Sequence, residues 1–301
     1  MMRRGVLLAI GAYVLWGLFP IYWKQLEQVP SVEIIAHRIV WSLVFILIIV
    51  LSSRRLKELR LAVRSKKVLS AYTLGAILLA INWTTFVWAV NAGFVVDASL
   101  GYFINPLVSV LLGVIFFRER LRIWQWVAIG LAATGVLYLT IRYGSLPWIG
   151  LVLAFSFGTY GLIKKGASLE AVEGQALEML ILFLPAMIYL FSLEKQGLGT
   201  FGHNFSLSIL LALGGAVTAT PLLMFAAAAR RIPLSMIGML QYFAPSLQFS
   251  IGVWLYDEPF STVRLTGFCL IWAGLAIYSA EGFYMRRKGR NGSAMEAEIT
   301  C

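Results

Sequence analysis

The sequence predicts an all-α membrane protein with ten transmembrane helices, arranged as two inverted five-helix repeats. Three observations lead to this prediction: the apolar composition, the spacing of the apolar blocks, and matching residues at a constant offset along the chain. Of the 301 residues, 60% are hydrophobic and 13% are charged, whereas a soluble globular domain has about 45–50% apolar residues. This composition indicates that lipid surrounds most of the chain.

Apolar residues return in ten blocks, most of which approach the roughly 20 residues that a helix needs to cross a bilayer. The blocks are residues 6–23, 34–51, 68–90, 98–117, 124–141, 148–163, 176–191, 207–229, 234–256 and 263–284. The sixth and seventh are the shortest. The first block follows two arginines, as in a secretory signal, but its length and the missing A-x-A-like site favour an uncleaved helix.

Positive charges divide unevenly between the two sides that ten alternating helices would define. Twenty of the 25 Lys and Arg residues fall on the side of the amino terminus, four fall on the other side, and Arg38 lies inside the second block. Because basic loops stay in the cytoplasm, an inner-membrane protein with both termini cytoplasmic is predicted. The formal net charge of +11 then reflects topology and contact with lipid headgroups, and no nucleic-acid partner is expected.

A constant offset of 139 positions connects matching residues in the two halves of the chain. The pairs are Gly75 and Gly214, Pro106 and Pro245, Gly113 and Gly252, Glu119 and Glu258, and Gly135 and Gly274. This offset predicts a first five-helix repeat at 1–143, a second at 144–288 and a cytoplasmic tail at 289–301. Since five is odd, the second repeat must enter the membrane from the opposite side, an arrangement that many secondary transporters share.

Five stretches distributed over nearly the whole chain carry specific motifs: GVLLAIGAYVLWGLFPIYWK, EIIAHRIVWS, NWTTFVWAVN, ASLGYFINPLVSVLLG and QYFAPSLQFSIGVWLYDEP. They resemble the RarD proteins, a family in the EamA branch of the drug/metabolite transporter superfamily. The resemblance implies a ten-helix inner-membrane permease with two EamA repeats. The chloramphenicol-related label of this family describes a phenotype and implies no particular cargo.

Charged residues inside apolar blocks are the first candidates for a site. A charged side chain such as Arg38 costs at least about 2.5–3.5 kcal/mol at the centre of a membrane helix, so it usually faces a cavity, although it could snorkel to the nearby interface. His37 and Glu33 are close in sequence and could carry a proton or bind an anionic group. Glu178 occupies the position equivalent to Arg38 in the second half. The two opposite charges are predicted to form one gate on each side.

Polar and aromatic residues of the third, fourth and ninth blocks complete the predicted substrate-binding or gating site. With Arg38, His37 and Glu178, its members are Asn82, Trp83, Tyr102, Asn105, Pro106, Gln241, Tyr242 and Pro245. Each proline removes a helical hydrogen bond near the middle of the membrane, where a cavity can satisfy the freed carbonyl. The polar side chains could bind a substrate or link helices to one another.

Enzyme motifs are missing from the sequence. Gly161 and Gly166 have the spacing of a phosphate-binding loop, but Ala167 replaces the required lysine. The two histidines and two cysteines are too widely separated to indicate a metal site or a disulfide framework. Glu119 and Glu258 each lie between two helices, a position typical of capping. The chain is therefore predicted not to be an enzyme and to need no cofactor.

The combined prediction is a secondary transporter that moves a small organic metabolite or drug by alternating access, with efflux as the expected direction. The expected partners are a small-molecule substrate and membrane lipids, and a coupling proton or other ion is left open. Two alternatives belong to other classes. A membrane receptor or sensor would bind a small ligand without flux, and an intramembrane enzyme would require a nucleophile and base that the sequence does not place together.

Overall fold

Helices form nearly the whole chain in the computed structural model, which describes residues 2–91, 95–143, 148–256 and 262–299. Within these ranges, side chains are described except at 90–91, 95–100, 143, 264, 283 and 286–299. The helices are α1 (Met2–Trp23), α2 (Ser31–Ser52), α3 (Leu56–Arg64), α4 (Lys66–Asn91), α5 (Val95–Phe117), α6 (Ile123–Tyr143), α7 (Trp148–Gly166), α8 (Ala171–Lys195), α9 (Phe205–Ala229), α10 (Leu234–Gln241), α11 (Phe243–Leu255) and α12 (Thr262–Ile299). The predicted all-α class is confirmed.

Each predicted apolar block overlaps a helix, with three differences. The short helix α3 was not predicted, the ninth block is divided between α10 and α11, and α12 continues into the predicted tail. Among the described residues, seven helices are long and apolar enough to cross a membrane by length and composition, and Gly101–Phe117 is a shorter apolar helix. The chain is a multi-pass membrane protein, while the count of ten crossings stays a prediction.

The two prolines of the matching pair have different helical contexts. Pro106 lies inside α5, which continues through it. Pro245 lies in the first turn of α11, just after the break at Tyr242, where a backbone N–H needs no partner within the helix. The sequence predicts equivalent breaks at both prolines, but only the second accompanies an interruption, because a helix start tolerates proline without losing a hydrogen bond.

Helices of the two halves begin at matching positions. The starts of α4, α5 and α6 are residues 66, 95 and 123, and those of α9, α10 and α12 are residues 205, 234 and 262, a difference of 139 in every case. Helix α5 packs against α10, and α6 packs against α12. Helices from the first and second halves are therefore interleaved in the bundle rather than segregated into two separate lobes.

Helices α6 and α12 approach each other closely through small residues. A β-carbon at Gly135 would lie 2.9 Å from the carbonyl oxygen of Gly267, and one at Gly274 would lie 2.6 Å from that of Ala128. Both distances are shorter than real β-carbon contacts, so each position requires glycine. Gly135 corresponds to Gly274 at the offset of 139, and Ala128 corresponds to Gly267, so the interface is reciprocal.

Basic residues meet at one end of the bundle, which we name the basic end. The contacts there are Arg55 with Glu170 and Glu173, Arg122 with Glu281, Lys165 with the Ile232 carbonyl, and Arg230 with the Leu169 carbonyl. The hydrogen bond and charge of Arg55 lower the pKa of the Glu170 carboxyl.

At the opposite end, the Glu33 carboxylate accepts hydrogen bonds from the Thr200 backbone N–H and hydroxyl. These contacts define the two ends of the bundle.

Glu119 caps helix α10 at the basic end. Its carboxylate accepts hydrogen bonds from the backbone N–H groups of Leu234 and Ser235 at 2.7 and 2.9 Å, and from the Ser235 hydroxyl at 2.7 Å. A negative charge at this position interacts favourably with the helix dipole. The predicted capping role of Glu119 is confirmed, on a helix distant in sequence, and Glu258 lies outside the described residues.

Substituting Gly274 with alanine should weaken the α6–α12 interface. The new methyl group would overlap the Ala128 carbonyl, and overpacking of this kind typically costs about 1–3 kcal/mol of unfolding free energy. Gly130→Ala is the matched control, because nothing lies within 4 Å of a β-carbon at Gly130. Thermal unfolding of the purified variants in detergent measures the difference. Equal midpoints for Gly274→Ala and Gly130→Ala would contradict the close approach.

Candidate functional site

A cavity of about 400 Å³ lies among α1, α2, α4, α5, α7, α9 and the junction of α10 with α11. Its lining includes Trp23 and Ser31, the residues that flank the turn between α1 and α2. The inner part of the cavity, near the middle of the bundle, is lined by Gln241 and Gln248. The cavity therefore extends inward from the opposite end, and its volume is in the range of small-molecule sites.

Arg38 is the one charged side chain among the described residues that line this cavity. Its Nε donates a hydrogen bond to the Thr218 hydroxyl at 2.9 Å. Its guanidinium carbon lies 4.7 Å from the ring centroids of both Trp23 and Trp83. A guanidinium between two indole faces is held by cation–π attraction, so its position is defined from three directions.

Side-chain amides provide further polar groups of the cavity. The Asn82 amide nitrogen donates to the Leu153 carbonyl at 2.9 Å and to the Ser156 hydroxyl at 3.0 Å, so this residue links α4 to α7. Asn105 and Gln241 line the cavity and are buried, and their side-chain oxygens have no hydrogen-bond partner among the described residues. Buried polar atoms are normally satisfied, so these two oxygens are acceptors that lack a partner among the described residues.

Aromatic side chains close the cavity toward the basic end. Trp16 and Phe157 both line it and contact each other edge to face, with ring centroids 5.6 Å apart. Each also contacts Phe225, at 5.8 and 5.2 Å, and the Phe225 ring stacks on Tyr160. Phe225 and Tyr160 are fully buried, so the closure is more than one ring thick.

A buried ion pair lies beyond these rings. Lys164 Nζ is 2.7 Å from Glu178 Oε2, with side-chain exposures of 2% and 0%. The Tyr160 hydroxyl donates to the same carboxylate oxygen at 3.1 Å, and the Lys164 ammonium also lies 5.2 Å from the centroids of the Tyr72 and Tyr160 rings. The pair joins α7 to α8 close to the basic end.

Comparison with known proteins places this geometry in a family. The model of the EamA-like transporter family matches residues 3–141. The chain is 47% identical to the protein RarD of Streptomyces exfoliatus over 96% of this chain and 92% of that protein. The chain belongs to the RarD family of EamA-type permeases.

Further relatives have similar lengths. This RarD-family chain is 44% identical to the uncharacterized transporter YojE of Bacillus subtilis (strain 168), over 96% of this chain and 98% of that protein. It is 42% identical to the protein RarD of Escherichia coli (strain K12), over 95% and 97%. One crystal structure matches with a TM-score of 0.70 over 95% of this chain and 99% of that chain, at 17% identity, which shows a shared fold.

The structure brings most of the predicted site residues to the cavity. Those that line it are Arg38, Asn82, Trp83, Tyr102, Asn105, Gln241 and Pro245. Four others lie elsewhere. His37 stacks on Phe201 near the opposite end, Glu178 pairs with Lys164, and the Pro106 carbonyl would be 2.5 Å from a β-carbon at Gly238. The fourth, Tyr242, is buried and donates from its hydroxyl to the Phe103 carbonyl at 3.2 Å.

Three important residues escaped sequence reasoning as members of the site. The sixth apolar block was ended at Ile163, which left Lys164 in a loop, whereas α7 continues to Gly166. A charge adjoining an apolar block was the available signal. Trp23 and Thr218 lie 15 and 180 positions from Arg38 in the sequence, so only the tertiary contacts connect them to it.

Breaking the buried pair should destabilise the protein strongly. Glu178→Gln leaves the Lys164 ammonium without its counter-charge, and removing one partner of a buried pair typically costs about 3–5 kcal/mol of unfolding free energy. Lys164→Met should cost a similar amount, and the double variant should cost less than the sum. Denaturation of the purified variants measures these differences.

The exposed pair at the basic end provides the control for that experiment. Glu170 pairs with Arg55, and 65% of the Glu170 side chain is exposed, so Glu170→Gln should cost less than about 1 kcal/mol. A loss in Glu178→Gln no larger than that in Glu170→Gln would show that the buried pair does not stabilise the bundle.

Proposed function

We propose that this RarD-family transporter moves a small organic metabolite or drug across the inner membrane by alternating access. The observation that carries the proposal is a ligand-sized cavity that extends from one end of the bundle and is closed toward the other by aromatic rings. A carrier needs such a closure so that its site faces one side at a time. Efflux is the proposed direction, and the conformation described would then be the one that releases substrate.

Two inverted five-helix repeats, 1–143 and 144–288, would provide the second conformation. The constant offset of the helix starts and the reciprocal α6–α12 contacts support this arrangement. In inverted repeats, exchanging the conformations of the two halves converts one open state into the other. Trp16 and Phe157 occupy corresponding positions near the starts of the two halves. Their contact supports a closure of the cavity at a place where the two repeats meet.

The predicted pair of gates takes a specific form in this proposal. Arg38 lies on the side of the opposite end and Glu178 near the basic end, at corresponding positions of α2 and α8. The Lys164–Glu178 pair would lock the basic end while the cavity is accessible from the other side. Opening the basic end would require α7 and α8 to separate there, and the energy of that pair would be part of the barrier.

Exchange across a membrane tests the proposal directly. Proteoliposomes containing the purified protein should accumulate a labelled substrate by counterflow when they are loaded with the same unlabelled compound, because an alternating-access carrier exchanges substrate without net flux. Protein-free liposomes are the control. Amino acids, organic acids, amines and aromatic drugs form the initial panel. Saturable binding without exchange would favour a receptor or sensor and overturn the transport proposal.

The distribution of basic residues supports an orientation for the chain in the membrane. We expect the basic end, and both termini, to face the cytoplasm, because basic segments are retained there. Reporter fusions after Lys67 and at the carboxyl terminus should report a cytoplasmic location, and a fusion near Gly197 should report the other side. A non-cytoplasmic carboxyl terminus would be incompatible with ten crossings and with the inverted repeat.

A further inference from the structure

We propose that Arg38 binds the carboxylate group of the transported molecule, so that the substrate is a small organic acid with an apolar body. The proposal rests on the proposed transport function, because it names the chemical class of the transported molecule. Binding of that class at Arg38 can be tested without measuring transport. It follows from the surroundings of the guanidinium, from Arg38 being the one charged residue among the described residues that line the cavity, and from the contrast with the Lys164–Glu178 pair.

The guanidinium is only partly satisfied by the protein. Nε donates to Thr218 and the guanidinium carbon lies 4.7 Å from the centroids of the Trp23 and Trp83 rings, but no described residue accepts a hydrogen bond from either terminal nitrogen. Within the described side chains, no carboxylate lies at ion-pair distance from Arg38. A cation in an apolar, membrane-embedded cavity is costly without a counter-charge, and a bound anion would provide it.

The geometry favours a carboxylate over a phosphate. A guanidinium forms two parallel hydrogen bonds with a carboxylate in one plane, and the terminal nitrogens of Arg38 have no acceptor among the described residues. Arg38 provides one positive charge, so a carboxylate neutralises it, whereas a phosphate dianion would leave net negative charge in the cavity. Burial of an uncompensated charge is unfavourable, which selects a monoanion.

Near the basic end, the bundle accommodates two buried charges by pairing a lysine with a glutamate of the same chain. Glu178, at the position in α8 that corresponds to Arg38 in α2, has Lys164 at 2.7 Å and a hydroxyl donor at 3.1 Å. Arg38 has a comparable hydroxyl contact and two rings but lacks the opposite charge among the described residues. The substrate carboxylate would be the counter-charge of Arg38, as Lys164 is the counter-charge of Glu178.

The remaining lining indicates the rest of the ligand. Rings of Trp16, Trp83, Phe86, Tyr102 and Phe157 surround the space beside the guanidinium, which suits a flat apolar group. The unpartnered oxygens of Asn105 and Gln241 would accept hydrogen bonds from an N–H or O–H group. A molecule with a carboxylate, an aromatic body and one such donor fits these three features together.

Matched pairs of acids and amides test the charge requirement on the unmodified protein. Suitable pairs are indole-3-acetate with indole-3-acetamide, phenylacetate with phenylacetamide, and 3-phenylpropionate with 3-phenylpropionamide, measured by calorimetry at pH 7. At least one acid should bind about tenfold more tightly than its amide, as expected for a charge-assisted hydrogen bond. Equal or undetectable binding of acid and amide in every pair would overturn the proposal.

Substitutions then locate the charge responsible. Arg38→Gln should reduce the preference for the acid to less than about twofold, while Arg38→Lys should retain part of it, because lysine keeps the charge without the planar fork. Arg142→Gln is the matched control, since Arg142 is an exposed arginine in the last turn of α6, outside the cavity. A preference that persists in Arg38→Gln, or is lost equally in Arg142→Gln, would refute the assignment.

Counterflow of labelled indole-3-acetate separates this proposal from the transport function. Charge-selective binding without exchange would leave the carboxylate site standing and remove the transport proposal. Exchange of neutral compounds at the same rate in wild type and Arg38→Gln, with no preference for acids, would leave the transporter standing and remove the carboxylate site. Thermal unfolding of Arg38→Gln near the wild-type midpoint is the required control for correct folding.

Discussion

The cost of charge in a low-dielectric interior governs how this bundle is arranged. Near the basic end, Lys164 and Glu178 offset each other and connect α7 to α8, and the Tyr160 hydroxyl donates to the same carboxylate oxygen. In the cavity, a hydroxyl and two indole rings offset only part of that cost for Arg38. Lys164 and Glu178 have each other as internal partners, so that region of the protein is closed. Arg38 has no opposite charge among the described residues, so the cavity can receive a charged ligand.

Close packing of small residues explains how the two halves can form one bundle. Helices α6 and α12 contact each other backbone to backbone at Gly135 and Gly274, where van der Waals contact replaces the hydrophobic effect that lipid does not supply. Helix α5 approaches α10 similarly, since the Pro106 carbonyl faces Gly238. Each of these interfaces joins a helix of the first half of the chain to a helix of the second half.

The relatives share nearly the full length of the chain, and the fold is shared more widely still. A solved structure with 17% identity retains a TM-score of 0.70, so the helical arrangement tolerates extensive change of sequence. Specificity must then depend on the few polar groups in the cavity. Arg38, Asn105, Gln241 and Tyr13 line the cavity and have hydrogen-bonding atoms without a partner among the described residues.

The sequence by itself determined the membrane class, the positions of nearly all helices and the location of Arg38 at a cavity, because bilayer thickness and the energetic cost of an intramembrane charge act on local sequence. It also identified Glu119 as a cap, although not the helix that it caps. Only the tertiary structure decided that Lys164 is the partner of Glu178, that Trp23 and Thr218 hold Arg38, and that Pro106 leaves its helix continuous. Those outcomes depend on contacts between residues 14 to 180 positions apart, and hydrophobic periodicity along one chain does not specify which helix faces pack together.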